Sequence, residues 1–145
     1  MSAFERDCTQ CGDCVSVCPE GIIRKDARDG IILDPALGAC TFCGDCARAC
    51  PTEALSVERI ADWPWIAAIS ESCFSLNGIF CRSCEDACET RAIRFRLATG
   101  GRAQPVLDTE SCTGCGACIA VCPAGATSLV PKPQSEPEPR LEVVR

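Results

Sequence analysis

The stretch CTQCGDCVSVCP, Cys8 to Pro19, decides the fold, because it returns as CTFCGDCARACP from Cys40 to Pro51 and as CTGCGACIAVCP from Cys112 to Pro123. Each copy spaces its cysteines as C-x2-C-x2-C-x3-C, with proline after the last, and the second copy lies 32 residues after the first. A further set, Cys73, Cys81, Cys84 and Cys88 in CFSLNGIFCRSCEDACE, is interrupted. Its last three cysteines precede Cys115, Cys118 and Cys122 by 34 residues, so the insertion falls only between Cys73 and Cys81. These sets account for all 16 cysteines in 145 residues.

Cysteine at this density means a disulfide framework or metal ligation. The start MSAFERDC has no apolar run able to serve as a secretory signal. A reducing, cytoplasmic setting follows as the expectation, and regularly spaced thiols are then metal ligands. Structural zinc sites show separated C-x2-C pairs, often with histidine, and this chain has no histidine. The spacing is instead that of bacterial-type ferredoxins, in which three cysteines wrap one [4Fe–4S] cube and the fourth reaches a neighbouring cube. A helical turn starting at the third cysteine puts the fourth on the same face one turn along, and proline then stops the helix.

Crossed ligation follows from that geometry. Cys8, Cys11 and Cys14 share a cube with Cys50, and Cys40, Cys43 and Cys46 share one with Cys18. Cys73, Cys81 and Cys84 pair with Cys122, while Cys112, Cys115 and Cys118 pair with Cys88. The expected cofactors are four [4Fe–4S] clusters, with iron held by these sixteen cysteines. Gly12, Gly44 and Gly116 follow the second cysteine of the regular motifs, where absence of a Cβ lets the loop close over a cube.

The intervening sequence predicts an α+β chain of two tandem bacterial-type 2[4Fe–4S] ferredoxin-like modules with short helices and β-hairpins. The first module spans residues 1–60, a joint 61–65, the second module 66–130, and a proline-rich mobile tail 131–145. GIIRKDARDGIILD reads as a hairpin turning near Asp29-Gly30. AIRFRLATGGRAQPVLD reads as another, with Ile93, Phe95 and Leu97 alternating against Arg94 and Arg96. Trp63 and Trp65 of the joint are expected to pack. Each half is too small to rely on an apolar core alone, so clusters must act as staples.

No run approaches the roughly 18 apolar residues of a membrane span. The net charge of −6 argues against a nucleic-acid partner. No catalytic triad, phosphate loop or flavin fingerprint is present, so catalysis in its own right is not expected. The arginines Arg82, Arg91, Arg94, Arg96 and Arg102 form a solvated strand face or a contact surface for an acidic partner.

The interrupted motif departs from the rest in its insertion, in Arg82 where glycine stands elsewhere, and in Glu89 where proline does. All four cysteines remain, which favours a working site whose enlarged loop, Phe74 to Phe80, exposes its cluster or reshapes the surface beside it. Of the four clusters this one is expected to be the most labile. The C-x7-C-x2-C-x3-C-E arrangement, its AIRFR continuation and the closing SCTGCGACIAVCP resemble the NapF family, ferredoxin-type accessory proteins of periplasmic nitrate reductase systems. That resemblance implies a cytoplasmic iron–sulfur protein that binds the precursor of the nitrate reductase catalytic subunit before export and assists its maturation. An electron donor is a further expected partner. Two other functions fit the spacing: a polyferredoxin electron carrier between cytoplasmic redox partners, and a wiring subunit of a larger oxidoreductase.

Overall fold

Asp26 turns the first hairpin. Its carboxylate accepts the backbone N–H groups of Arg28 at 2.7 Å and Asp29 at 3.1 Å, the side-chain-built turn that aspartate favours. The strands β1 (Ile23–Asp26) and β2 (Gly30–Leu33) then pair antiparallel, with Asp26 opposite Gly30. Gly30 sits at φ 73°, open to glycine at little cost. Ile22 and Ile31 are buried inside this first half, and Arg24 closes the open end of the hairpin on Asp34 at 2.9 Å. The computed structural model describes residues 3–60 and 63–133. Ala61, Asp62 and the tail beyond residue 133 lie outside the described residues.

The chain opens with helix α1 (Ala3–Asp7), and Cys8 donates its N–H to the Phe4 carbonyl at the helix end. Four more helices follow the cysteine loops: α2 (Asp13–Val17), α3 (Asp45–Arg48), α4 (Ser83–Asp86) and α5 (Ala117–Ala120). At four or five residues they are far below the length at which a helix holds itself in water. They stand by packing in pairs, α2 on α3 and α4 on α5.

The second half holds two antiparallel pairs. The strands β4 (Ile93–Leu97) and β5 (Ala103–Leu107) form the expected hairpin, with Ile93 opposite Leu107 and Leu97 opposite Ala103. Ile93 and Phe95 face a core with Ala67, Cys84 and Cys118. The alternation stops short of the strand's end, because Leu97 is 88 % exposed. The other pair joins β3 (Trp65–Ile69) to β6 (Thr127–Pro131), strands from the two ends of the half. The sequence alone predicts neither strand, and it assigns to the joint Trp65, which the structure makes the first residue of β3.

Trp63 is packed. Its indole N–H donates to the Gly114 carbonyl at 3.1 Å, and its ring meets Phe42 edge-on at 5.8 Å. A residue just before the second module thereby bridges the second and fourth cysteine loops. Gly114 permits this approach, since a Cβ there would collide with the Trp65 carbonyl oxygen.

Ile93→Ala is expected to lower stability by about 2–5 kcal/mol, the range for truncating a fully buried isoleucine. Phe80→Ala, at an 86 % exposed position, should stay within about 0.5 kcal/mol. Anaerobic guanidinium unfolding of the iron-loaded protein checks both.

Candidate iron–sulfur sites

The regular loops share a backbone device. Gly12, Gly44 and Gly116 after the second cysteine are left-handed at φ 91°, 80° and 88°. The residue before that cysteine is left-handed too: Gln10 at 57°, Phe42 at 55° and Gly114 at 71°. The second cysteine therefore projects from a tight crest between two such residues. Glutamine and phenylalanine adopt this conformation against a steric cost of about 1–2 kcal/mol each. The sequence marks the glycines but not Gln10 and Phe42; Gly114 at the equivalent position is the available signal.

Each helix begins one residue ahead of its third cysteine and ends before the fourth. Cys14, Cys84 and Cys118 are buried by this placement. The fourth cysteines lie past the helix ends rather than on their faces. In the interrupted motif α4 ends at Asp86, ahead of Glu89, so the stop does not depend on the proline of the other motifs. A turn follows the fourth cysteine instead. Gly21, Arg91 and Gly125 occupy it with positive φ and donate their N–H groups to the carbonyls of Cys18, Cys88 and Cys122. The next residue in two of these turns, Ala92 or Ala126, aims its N–H at Cys88 Sγ or Cys122 Sγ, each at 3.2 Å.

Two crossed groups of sulfurs each line a hollow. Cys8, Cys11, Cys14 and Cys50 line one hollow with Phe4, Ile31 and Leu55. Cys73, Cys81, Cys84 and Cys122 line another with Ile69, Phe74 and Phe95. The two measure about 290 and 320 Å³ including their open mouths. Cys40 and Cys46 both lie in the electrostatic range of Cys18 and Cys43. Cys88 and Cys112 pack on the core that includes Cys118, and Cys112 and Cys115 act electrostatically on Cys118.

All sixteen cysteines are free of disulfides. Among the described residues no three ligating side chains converge as a single ion would require. Thiols spread around an apolar hollow suit a larger, soft, multinuclear group, and [4Fe–4S] fits that donor set.

Electrostatics sets the third cysteines apart from Cys50, Cys88 and Cys122. Burial first, then crowding by neighbouring thiols, pushes Cys14 and Cys46 up, Cys84 up to about 11 and Cys118 up to about 12. Burial also opposes ionisation at Cys50, Cys88 and Cys122. There it is outweighed by Thr52 on Cys50, by backbone N–H groups and Thr90 on Cys88, and by backbone N–H groups and Thr127 on Cys122, leaving all three thiols lowered. Those hydrogen bonds favour a thiolate and would go on stabilising it once metal-bound.

The enlarged loop does not expose its sulfurs. Cys73 is buried at 8 % exposure, whereas the first cysteines of the regular motifs are half-buried and Cys11 and Cys43 are exposed. Asn77 causes the closure by donating its side-chain amide to the carbonyls of Glu71 at 2.8 Å and Cys73 at 2.9 Å. Ser75, also buried, bonds the Ala103 carbonyl at 2.5 Å. The exposure expected of the enlarged loop is therefore corrected at Cys73, whose thiol is more covered than the first cysteines of the regular motifs. What the loop does present to solvent is Ile79, 55 % exposed, and Phe80.

Arg82 is engaged rather than free. It pairs with Glu85 at 3.0 Å and lies 5.7 Å over the Phe95 ring. Glu85 in turn accepts the Phe95 N–H at 3.1 Å. Arg82 enters α4 at φ −137°, a route that needs no glycine. Arg91, Arg94, Arg96 and Arg102 are exposed.

Two family models described as 4Fe-4S dicluster domains match residues 7–55 and 79–126. The second match begins after Cys73. A "Ferredoxin-type protein NapF" of Haemophilus influenzae is 43% identical over 135 residues, covering 93% of this chain and 77% of that protein. The protein of the same description in Escherichia coli K12 is 36% identical over 125 residues, covering 86% of this chain and 76% of that one.

Removing Cys50 should disturb the cluster of the first motif, not of its own. The electron paramagnetic resonance (EPR) spectrum of reduced Cys50→Ala is expected to match that of Cys11→Ala. A match to Cys43→Ala instead would show that each motif closes its own cube.

Proposed function

Because this chain belongs to the NapF family of ferredoxin-type proteins, we propose that it is an iron–sulfur accessory protein. In this reading it binds the cytoplasmic precursor of the periplasmic nitrate reductase catalytic subunit and assists its maturation before export. The sixteen cysteines hold four [4Fe–4S] clusters in the crossed sets, and the bound clusters supply one-electron chemistry. The chain's own residues bind and shelter them: the crests at Cys11, Cys43 and Cys115 cover three sets, and Asn77 and Ser75 close the insertion over the interrupted one.

The observation that carries this reading is the surface of that insertion. A loop that only sheltered sulfur would turn its aromatic residues inward, as it does with Phe74. This one points Phe80 outward beside a cluster hollow. Ser75 ties the insertion to Ala103, whose strand partner is the exposed Leu97, and Ile79 and Phe80 of the same insertion are exposed as well. Aromatic and arginine side chains are enriched among the anchors of protein contacts, and Arg94 and Arg96 stand exposed on the same strand as Leu97.

A second reading, a polyferredoxin electron carrier, is favoured by the direct contact of the second and fourth loops, where the Cys40 N–H meets the Cys115 carbonyl at 2.7 Å. The two are separated in cells. Ile79→Ser with Phe80→Ser should retain all iron yet weaken capture of the enzyme precursor roughly tenfold, the loss of about 1.4 kcal/mol expected for an aromatic anchor. Nitrate reductase activity of the cells should fall with it, while Val57→Ser on the first half changes neither. Unchanged capture and activity would return the case to the carrier.

A further inference from the structure

The cysteine sets do not follow one another in space as they do along the chain. In the first half, packing of α2 on α3 brings the third cysteines of the first two motifs together, and Cys46 acts electrostatically on Cys14. In the second half α4 packs on α5, and Cys84 acts likewise on Cys118. Among the described residues the halves meet through the second and fourth loops. Besides the Cys40 to Cys115 hydrogen bond, the thiol of Cys115 lies within electrostatic range of Cys40. A Cβ on Gly116 would come within 2.8 Å of Pro35 Cβ, so these loops touch with no room for a side chain. Trp63 covers the junction by bonding Gly114 and meeting the Phe42 ring.

We propose that the four cysteine sets form one linear relay in the order first, second, fourth, third, joined between modules at the Cys40–Cys115 contact, with the interrupted set as a terminus. The proposal rests on the reading that all four sets hold clusters. It makes the insertion with Phe80 the outlet beside the last site, and it places the other terminus at the hollow of Cys8, Cys11, Cys14 and Cys50. Each step oxidises one cluster by one electron and reduces its neighbour by one. The electron enters from an external one-electron donor of low potential and leaves to a one-electron acceptor on the bound partner. No proton transfer is required for the balance.

The test is magnetic. A reduced [4Fe–4S] cluster carries an unpaired spin, and close neighbours broaden each other's EPR signals. Protein reduced with dithionite is compared as two double variants. Cys11→Ala with Cys81→Ala leaves the second and fourth sets, and Cys43→Ala with Cys115→Ala leaves the first and third. The first variant is expected to show a broadened, coupled spectrum and the second two independent ones. The reverse pattern, or a sharp spectrum from the second and fourth sets, overturns the order.

Trp63→Ala provides a second measurement that keeps every cysteine. Its reduced spectrum is expected to narrow toward the sum of two separate two-cluster modules; a spectrum identical to the unaltered protein's overturns the junction. Iron and sulfide counted on the same samples separate the two ideas. About sixteen irons in the unaltered protein and about eight in each double variant, without coupling across the junction, overturn the order alone. A protein that takes up no iron overturns the underlying reading and the order with it.

Discussion

Burying sulfur is the constraint on which this molecule depends. Cys84 and Cys118 stand in the main apolar core of the second half beside Ile93 and Phe95, and burial and crowding hold both thiols far from ionisation. A core made of ordinary hydrophobes would be finished by packing. This one is left with hollows ringed by donors that a bound metal deprotonates outright. Around those hollows stand helices too short to persist alone and hairpins too small to fold alone. Thiolate–iron bonds would tie these pieces together as staples, so the fold and its cofactor are one problem.

The interrupted motif shows how far that problem tolerates different solutions. In the regular loops the backbone does the work, with left-handed residues on both sides of the second cysteine. In the interrupted loop side chains replace it. Asn77 and Ser75 hold the insertion by bonds to carbonyls, and Arg82, Glu85 and Phe95 form a closed exchange of charge, hydrogen bond and ring contact where a glycine stands elsewhere. The sulfur ends more covered than in the regular loops. A family model matching only from residue 79 thus leaves out the most distinctive portion of the second half.

The cysteine spacing makes the sites legible, because ligand geometry is local and repeats without regard to the rest of the chain. The hairpins are legible too, since an Asx turn and an alternating strand are written in neighbouring residues. The pairing of β3 with β6 is not, because it joins residues far apart in sequence and neither strand alternates cleanly. Gln10 and Phe42 give no sign of their backbone conformation, which tertiary contact imposes against preference. Leu97 breaks its pattern because the strand runs past the edge of the core it serves. Burial of Cys73 is hidden for a related reason: insertion length suggests openness, and only the two carbonyls met by Asn77 reveal closure.

The shared hollows also have a consequence in time. The hollow begun by Cys8, Cys11 and Cys14 is completed by Cys50, and that begun by Cys73 is completed by Cys122. A chain emerging from the ribosome therefore presents three thiols with no fourth until most of a module has been made. During that interval each site is open on one side, accessible to whatever delivers iron and equally to whatever oxidises sulfur. Neither hollow has its full set of donors before its partner motif arrives, so vectorial synthesis sets a waiting period before either site is complete.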